Sequence, residues 1–261
     1  MNDQEAGQYW NGNAAAWTTM ARAGFDIYRN YLNTPAFFDI LPAVKNLSGI
    51  DIGCGEGYNT RLLAQQGAQL TAIDISENFI EKAKDAESNQ QLNIHYLVAS
   101  AEELPFKDAC FDFATSFMCL MDVPNPGKAL QEAYRVLKPN GFLQFSILHP
   151  CFNTPYRKNL RHPDGKTYAI EVGDYFKNLD GKIEEWTFGA APADLRNSFP
   201  KFKVPVFNKT LTQWFSTILT AGFVIEEINE PRPGDETVNK YPYLQDAQVV
   251  AYFLHIRCRK Q

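Results

Sequence analysis

Apolar residues recur at helical spacing up to about Leu41, and beyond residue 48 they gather into short runs separated by helical stretches. Short runs rich in β-branched and aromatic residues predict strands, and apolar positions three and four apart predict helices. The predicted strands are 49–53, 69–74, 93–98, 111–117, 142–148, 223–228 and 249–256. Helices are predicted at 60–66, after Ser76, at 125–137 and at 210–221. This alternation predicts an α/β fold with a doubly wound, seven-stranded, mostly parallel sheet.

The alternation stops after His149-Pro150. Residues 151–207 are rich in aromatic residues, proline and glycine, and they show no clear period. Segments of this length without regular structure are uncommon in compact domains and often carry function. A chain of 261 residues suits one α/β domain. We expect that domain to have four parts: a helical segment at 1–47, a core at 48–150, an insertion at 151–207 and the end of the core at 208–261.

Composition and charge narrow the class of protein. A hydrophobic share of 45% is that of a globular chain, and the net charge of −5 comes without a run of basic residues, so we expect no nucleic-acid partner. We expect no secretory signal at the polar N-terminus, and no apolar run reaches membrane-spanning length. Five cysteines without CxxC spacing indicate neither a metal site nor a disulfide framework. We expect a cytoplasmic protein with no membrane partner, either a monomer or a homodimer.

A glycine loop follows the first predicted strand and leads into a helix. It contains Gly53, Gly55 and Gly57 at every second position. Glycine permits a sharp turn and a close approach of a ligand to the main chain, and the helix that follows presents free N–H groups. By itself the loop suits a dinucleotide pyrophosphate or an amino-acid carboxylate equally well. Asp74, at the end of the second strand, is placed to accept the hydroxyl hydrogens of a ribose.

With these features the chain resembles the class I S-adenosylmethionine-dependent methyltransferases, in their broad small-molecule group of the type 11-like kind. The resemblance covers about residues 50–148. Its ordered motifs are Asp51-x-Gly53-Cys54-Gly55-x-Gly57, Asp74-x-Ser76, Ala101-Glu102-x-Leu104-Pro105-Phe106 and Glu132-Ala133-x-Arg135-Val136-Leu137-Lys138-Pro139-x-Gly141. It implies a Rossmann-like fold, S-adenosylmethionine as cofactor, S-adenosylhomocysteine as product and an N-terminal helical lid. The insertion is then a substrate cap after the fifth strand.

The resemblance also implies which residues bind the cofactor. Asp74 holds the ribose hydroxyls, and Ile75 packs on the adenine. Ser100 meets the edge of the adenine. Family members commonly carry Asp at this position, and a neutral hydroxyl makes a weaker hydrogen bond to the adenine amino group than a carboxylate does. The remaining implied contacts are Asp51, Gly53, Cys54, Gly55, Gly57, Ala101, Glu102, Phe117 and Met118.

The flanking segments supply further candidates. In the N-terminal lid, Trp17 is a candidate to cover the cofactor and Arg29 to pair with its carboxylate, while packing on the core is the alternative for each. His149 ends the fifth strand and is either a catalytic base or a histidine hydrogen-bonded at a strand end. Aromatic residues of the cap suit a small organic acceptor or an oligomer contact. The candidates there are Tyr156, Tyr175 and Trp186.

The expected function is transfer of a methyl group from S-adenosylmethionine to a small-molecule acceptor. A nicotinamide-dependent oxidoreductase shares the strand, glycine and acid pattern, but the loop has Gly-x-Gly-x-Gly where a dinucleotide site has Gly-x-Gly-x-x-Gly. A non-catalytic protein that only binds S-adenosylmethionine is the other alternative. The sequence specifies the donor better than the acceptor, because the sulfonium already activates the methyl group and no catalytic triad is needed.

Overall fold

A computed structural model describes all 261 residues. The strands are β1 (Ser48–Ile52), β2 (Gln69–Asp74), β3 (His95–Val98), β4 (Phe111–Phe117), β5 (Leu137–Leu148), β6 (Tyr156–Arg161), β7 (Thr167–Gly173), β8 (Lys182–Trp186), β9 (Phe202–Val206), β10 (Phe223–Asn229) and β11 (Phe253–Lys260). The helices are α1 (Asp3–Arg22), α2 (Thr34–Asp39), α3 (Tyr58–Gln65), α4 (Glu77–Gln90), α5 (Pro126–Val136), α6 (Ala193–Asn197), α7 (Leu211–Thr220) and α8 (Asp235–Lys240). A π-helical turn spans Arg29–Asn33, and 3₁₀ turns span Leu120–Asp122 and Pro242–Gln248.

Seven strands form one sheet in the order β10-β11-β5-β4-β1-β2-β3. The neighbours among β1 to β5 are parallel, and β11 runs antiparallel to both β5 and β10. The chain leaves β1 toward β2 and β3 on one side and toward β4 and β5 on the other, so the strand order reverses between β1 and β4. Ligands of such sheets bind beyond the carboxyl ends of the strands at this reversal. The predicted seven-stranded, mostly parallel α/β sheet is confirmed.

Apolar side chains cover the two faces of the sheet separately. One face packs against α5 and α7 in a cluster of 23 buried residues that includes Leu130 and Trp214. The other face packs against α3 and α4 in a cluster of 11 buried residues that includes Leu63 and Ile80. Strands covered on both faces are buried almost throughout, which explains why their sequences read as continuous apolar runs.

The end of the sheet differs in detail from the prediction. The fifth strand was expected to begin at Phe142, but β5 begins at Leu137, which pairs with Phe111 of β4. The pairing with β4 resumes at Phe142 after an irregularity, so Pro139 lies within the strand. The last strand was expected at 249–256 and lies at Phe253–Lys260. The end of this strand carries Arg257 and Arg259, whose charges pair with glutamates of β10. A search for apolar runs does not recognise such a charged segment as a strand.

The insertion has regular structure where the sequence showed no period. Strands β6 and β7 form one antiparallel hairpin, and β8 and β9 form a second. No residue of β6 or β8 is fully buried, so these strands do not need the regular apolar positions that identify a half-buried strand in a sequence. No helix of the structure is both long and apolar enough to span a bilayer.

Helix α1 is joined to the second hairpin. Its N-terminus is capped reciprocally by Asn2 and Glu5, so it begins at Asp3. The side-chain amide of Asn13 donates to the carbonyl of Lys203 and accepts the N–H of the same residue, both at 2.9 Å. Apolar residues of α1, including Met20, share a small core with Phe188 and Phe202. The N-terminal helix and the cap therefore pack together above the sheet.

Candidate functional site

A cavity of about 750 Å³ lies at the carboxyl ends of β1 to β5, beneath α1 and the cap. Most residues that the sequence assigned to a ligand site line its wall. They are Trp17, Arg29, Asp51, Gly53, Cys54, Gly55, Asp74, Ile75, Ser100, Ala101, Phe117, Met118, Tyr175 and Trp186. Met118 has a φ of 53°, an unfavourable conformation for a side chain of this kind, and such strain is concentrated at functional sites.

The glycine loop turns sharply enough to bring its backbone to the cavity. Gly53 has a φ of 74°, and a Cβ there would lie 2.1 Å from the sulfur of Cys119. Gly55 has a φ of 54°, and a Cβ there would meet no atom within 4 Å. Gly53 is therefore required by packing, whereas Gly55 leaves open space on the cavity side of the loop, where a ligand can approach the main chain.

Asp74 links the glycine loop to the end of β2. Its Oδ2 accepts the N–H of Gly55 at 2.8 Å, and its Oδ1 accepts the N–H of Ser76 at 2.9 Å. Burial raises the pKa of Asp74 to about 6, and the two backbone hydrogen bonds oppose that shift. Each carboxylate oxygen keeps capacity for a further hydrogen bond on the cavity side. Ser76, not Asp74, caps α4, since its hydroxyl accepts the N–H of Phe79.

Asp51 braces the loop from below. Its two carboxylate oxygens accept the hydroxyl hydrogens of Thr60 at 2.6 Å and Thr115 at 2.9 Å. These bonds connect β1, α3 and β4 at the centre of the sheet. Burial raises the pKa of Asp51 to about 6, although both threonine hydroxyls stabilise the charged form. Because Asp51 is only 1% exposed, it acts on the cavity mainly through the position of the loop.

Glu56, in the glycine loop, gathers three arginines that come from separate parts of the chain. Its carboxylate lies 2.9 Å from Arg22 of α1 and 3.0 Å from Arg61 of α3. Its Oε1 lies 3.6 Å from the guanidinium of Arg29, which stacks on the ring of Tyr58 at 4.0 Å. Asp26 lies 3.8 Å from Arg29 as well, so three guanidinium groups face two carboxylates. Arg29 is the arginine of this cluster that lines the cavity and can meet an anionic group there.

One face of α1 forms a wall of the cavity. Asp3, Ala6, Trp10 and Trp17 all line it, at the three- and four-residue spacing of a helical face. Trp17 packs edge-on against Trp186 and Phe188 of the cap, with ring centroids 5.3 and 5.0 Å apart. Sequence reasoning selected Trp17 on this face and missed Asp3, Ala6 and Trp10, although their spacing from Trp17 was a usable signal.

Four predicted site residues lie off the cavity wall. Gly57 is the N-cap residue of α3, and a Cβ there would lie 2.5 Å from the hydroxyl of Tyr96. Glu102 turns toward the start of α5, where its Oε1 accepts the N–H of Asn125 at 2.9 Å. Tyr156 lies 44% exposed on the first hairpin, and its hydroxyl donates to Glu171. This geometry does not support direct contact of these three residues with a ligand. The fourth residue off the cavity wall is His149.

His149 lies off the cavity wall and makes the hydrogen bonds of a histidine at a strand end, and its role as a catalytic base stays a prediction. The ring is buried, and its Nε2 lies 2.7 Å from Oε1 of Glu230, in the loop after β10. Its Nδ1 accepts the N–H of Cys151 at 3.2 Å, so the neutral ring carries its proton on Nε2. Burial lowers the pKa of His149, and Glu230 partly opposes that shift. Both ring nitrogens are thus occupied in joining the ends of β5 and β10.

Asp122 is a cavity residue that the sequence did not reveal. It follows β4 in the 3₁₀ turn, next to the cap strand β9, and its carboxyl has no hydrogen-bond partner in the structure. Burial raises the pKa of Asp122 well above its usual range. Burial raises the pKa of the Cys119 thiol, and the nearby carboxylates of Asp74 and Asp122 raise it further. Asp122 is half-buried on the cavity wall, and an unpaired carboxyl in a partly desolvated position costs folding free energy once it ionises.

We expect the substitution Asp122→Asn to raise Tm at pH 8 by about 2–4 °C, which corresponds to roughly 1 kcal/mol in a chain of this size. The folded-state pKa of Asp122 is raised, so its contribution to stability is complete below the unfolded pKa and is lost as pH rises through the folded pKa. The gain should therefore shrink at pH 4. Thermal denaturation by circular dichroism at both pH values measures it, and the same gain at both pH values contradicts this account.

Comparisons with known proteins show which family the chain resembles. The model of a family described as a methyltransferase domain matches residues 50–145. A ubiquinone/menaquinone biosynthesis C-methyltransferase of Rickettsia bellii is 38% identical over 182 residues, which are 64% of this chain and 70% of the relative. A ubiquinone biosynthesis O-methyltransferase of Coxiella burnetii is 37% identical over 109 residues, or 42% of this chain. The chain spans about half of that relative's length, 47%.

Solved structures show the same fold. A crystal structure of an S-adenosylmethionine-dependent methyltransferase from Mesorhizobium loti superposes with a TM-score of 0.69 at 24% identity. The match covers 87% of this chain and 96% of that one. Together these likenesses set aside the nicotinamide-dependent oxidoreductase that the glycine loop alone had allowed. The chain belongs to the class I S-adenosylmethionine-dependent methyltransferases.

Proposed function

We propose that this protein transfers a methyl group from S-adenosylmethionine to a small, largely apolar organic acceptor. The observation that carries the proposal is a single cavity with two unlike halves. One half presents Asp74, the open backbone at Gly55 and the guanidinium of Arg29. The other half is walled by aromatic residues of α1 and the cap that pack on one another, Trp17, Trp186 and Phe188.

The polar half fits the donor. Asp74 has free acceptor capacity for two ribose hydroxyls, beside the open space at Gly55. Arg29 lines the cavity near the glycine loop, where its guanidinium can pair with the carboxylate of the methionine portion. Ile75 offers an apolar surface to the adenine. When bound, the cofactor supplies a methyl group on a sulfonium, and these residues hold and orient it.

The aromatic half indicates the class of acceptor. Its walls are mostly apolar, with few polar groups to fix an orientation, as is usual for sites that take small organic molecules. The curated relatives are named for methylation at oxygen and at carbon in ubiquinone biosynthesis, which supports an aromatic acceptor and leaves the acceptor atom undecided. Enclosure by α1 and the cap excludes water and holds two reactants together, which by itself accelerates a transfer.

Titration calorimetry with S-adenosylhomocysteine tests the donor half. We expect the wild type to bind it and Asp74→Ala to bind it about 100-fold more weakly, because two charge-assisted hydrogen bonds are lost. Asp108→Ala is the matched control, since Asp108 is a carboxylate exposed far from the cavity wall. A folded wild type that does not bind S-adenosylhomocysteine overturns the proposal.

A labelled-methyl assay separates an enzyme from a protein that only binds the cofactor. Wild-type protein is incubated with methyl-labelled S-adenosylmethionine and a panel of phenols, catechols and quinols. We expect label to enter at least one product. Binding of the cofactor without transfer to any compound of the panel or of a metabolite extract favours the non-catalytic alternative.

A further inference from the structure

The first turn of α1 places a carboxylate on the cavity wall that the donor site described above does not use. Asp3 lines the cavity, and its Oδ2 accepts the hydroxyl hydrogen of Ser100 at 2.7 Å. Its Oδ1 accepts the N–H of Gln4 at 2.9 Å. A carboxylate can accept about four hydrogen bonds, so Asp3 keeps capacity for a ligand.

Ser100 has little capacity of its own. Its hydroxyl hydrogen is donated to Asp3, and its oxygen already accepts the N–H of Glu102 at 3.1 Å. The serine thus holds the carboxylate of α1 against the end of β3. At this corner of the cavity the strong hydrogen-bond acceptor is Asp3, and Ser100 positions it.

The surroundings of Asp3 suit the edge of a flat ring. Ile75, Ala101 and Ala6 line the same region of the cavity, and none of these side chains has a polar group. Asp74, which we assign to the ribose, directly precedes Ile75 in the chain. A planar base attached to that ribose would lie between these apolar side chains, with its outer edge toward the carboxylate of Asp3.

Helix α1 is fixed in the position that this contact requires. The side-chain oxygen of Asn11 accepts the hydroxyl of Ser76 at 3.0 Å and the N–H of Asn78 at 2.9 Å, at the start of α4. Gly7 packs against Ile75, where a Cβ would lie 2.9 Å from Cγ1. One face of the helix is thereby docked directly on the segment that follows Asp74.

We propose that Asp3 accepts a hydrogen bond from the exocyclic amino group of the cofactor's purine and makes the site selective for a 6-amino purine over a 6-oxo purine. The proposal rests on the proposed function, because it assumes that the donor occupies this half of the cavity. A carboxylate accepts hydrogen bonds and donates none when ionised, so it stabilises an amino group and repels a carbonyl oxygen at the same position. The lid thus reads the identity of the base.

The test compares S-adenosylhomocysteine with S-inosylhomocysteine, its deaminated analogue, by titration calorimetry. We expect the wild type to prefer the adenosine compound by tenfold or more, roughly the effect of one hydrogen bond to a charged group. In Asp3→Ala the preference should collapse toward unity, and Ser100→Asp in the Asp3→Ala background should restore it. Glu5→Gln removes a charge from the same helical turn without touching the cavity wall, and should keep the preference.

Each outcome bears on one proposal or the other. An unchanged preference in a folded Asp3→Ala variant overturns the role of Asp3 and leaves the donor site standing. A wild type that binds neither compound overturns the proposed function itself. Thermal denaturation of every variant establishes that the protein is folded before the affinities are compared.

Discussion

The variant Glu56→Ala should lose about 3–5 kcal/mol of unfolding free energy, because removing one partner of a buried ion pair leaves uncompensated charge. Glu56 is 3% exposed and Arg61 has a side-chain exposure of 9%, so neither charge is well solvated. Arg22 and Arg29 lose the same partner. The substitution weakens the connection among three parts of the fold at once, since the arginines come from α1, the π-helical turn and α3. Urea denaturation followed by circular dichroism measures it.

An exposed pair provides the matched control. Glu185 lies 4.0 Å from Lys203, and both side chains are more than half exposed. Its replacement in Glu185→Ala should change the unfolding free energy by less than about 1 kcal/mol, as exposed pairs generally do. Equal losses in the two variants would mean that Glu56 is not the centre of a buried ion cluster.

The variant Gly53→Ala should lose binding of S-adenosylhomocysteine by about 100-fold or more, while a φ of 74° alone costs of order 1 kcal/mol. The larger part comes from the clash of the new Cβ with the sulfur of Cys119 at 2.1 Å and with its Cβ at 2.4 Å. Either the loop or the end of β4 must move, and both line the cavity. Calorimetry with S-adenosylhomocysteine measures the loss.

Two further variants separate the clash from the backbone strain. The double variant Gly53→Ala/Cys119→Gly removes both clashing atoms and should recover most of the affinity. The substitution Gly234→Ala, at a position with open space and a negative φ, should leave binding unchanged. If the double variant binds no better than Gly53→Ala, the contact with Cys119 is not the cause of the loss.

The sequence was a good guide wherever a residue acts through its own chain segment. The strand, glycine turn and helix at Asp51 to Gly57 are local, and the positive φ of Gly53, Gly55 and Gly57 is a local requirement. Asp74 follows from its place at the end of a parallel strand. The parallel order of β1 to β5 follows from the alternation of strands and helices, because the crossovers leave few topologies.

Roles that depend on long-range pairing were not visible. Glu230 lies 81 positions from His149, and only their contact shows that both ring nitrogens of the histidine are occupied. Asp3 lies 97 positions from Ser100, and its carboxylate reaches the cavity because the whole of α1 docks across the sheet. A sequence pattern gives the face of such a helix but not the surface that it meets.

The cap was underestimated because its strands are short and open to solvent. Of its three candidate aromatic residues, Tyr175 and Trp186 line the cavity, whereas Tyr156 lies outside it. The hydroxyl of Tyr175 accepts the N–H of Leu211, which ties the cap to the start of α7. Which aromatic residue faces inward is decided by the register of each hairpin, and the turn residues alone do not specify that register.

Two hydrogen bonds from the side chain of Asn13 to the backbone of Lys203 attach α1 to the second hairpin. From Asp3 to Trp17 the helix extends about 21 Å at 1.5 Å per residue, so it borders both halves of the cavity. Under the proposed function, a movement of α1 with the second hairpin would uncover both halves together. Release of the spent cofactor and exchange of the acceptor would then be coupled.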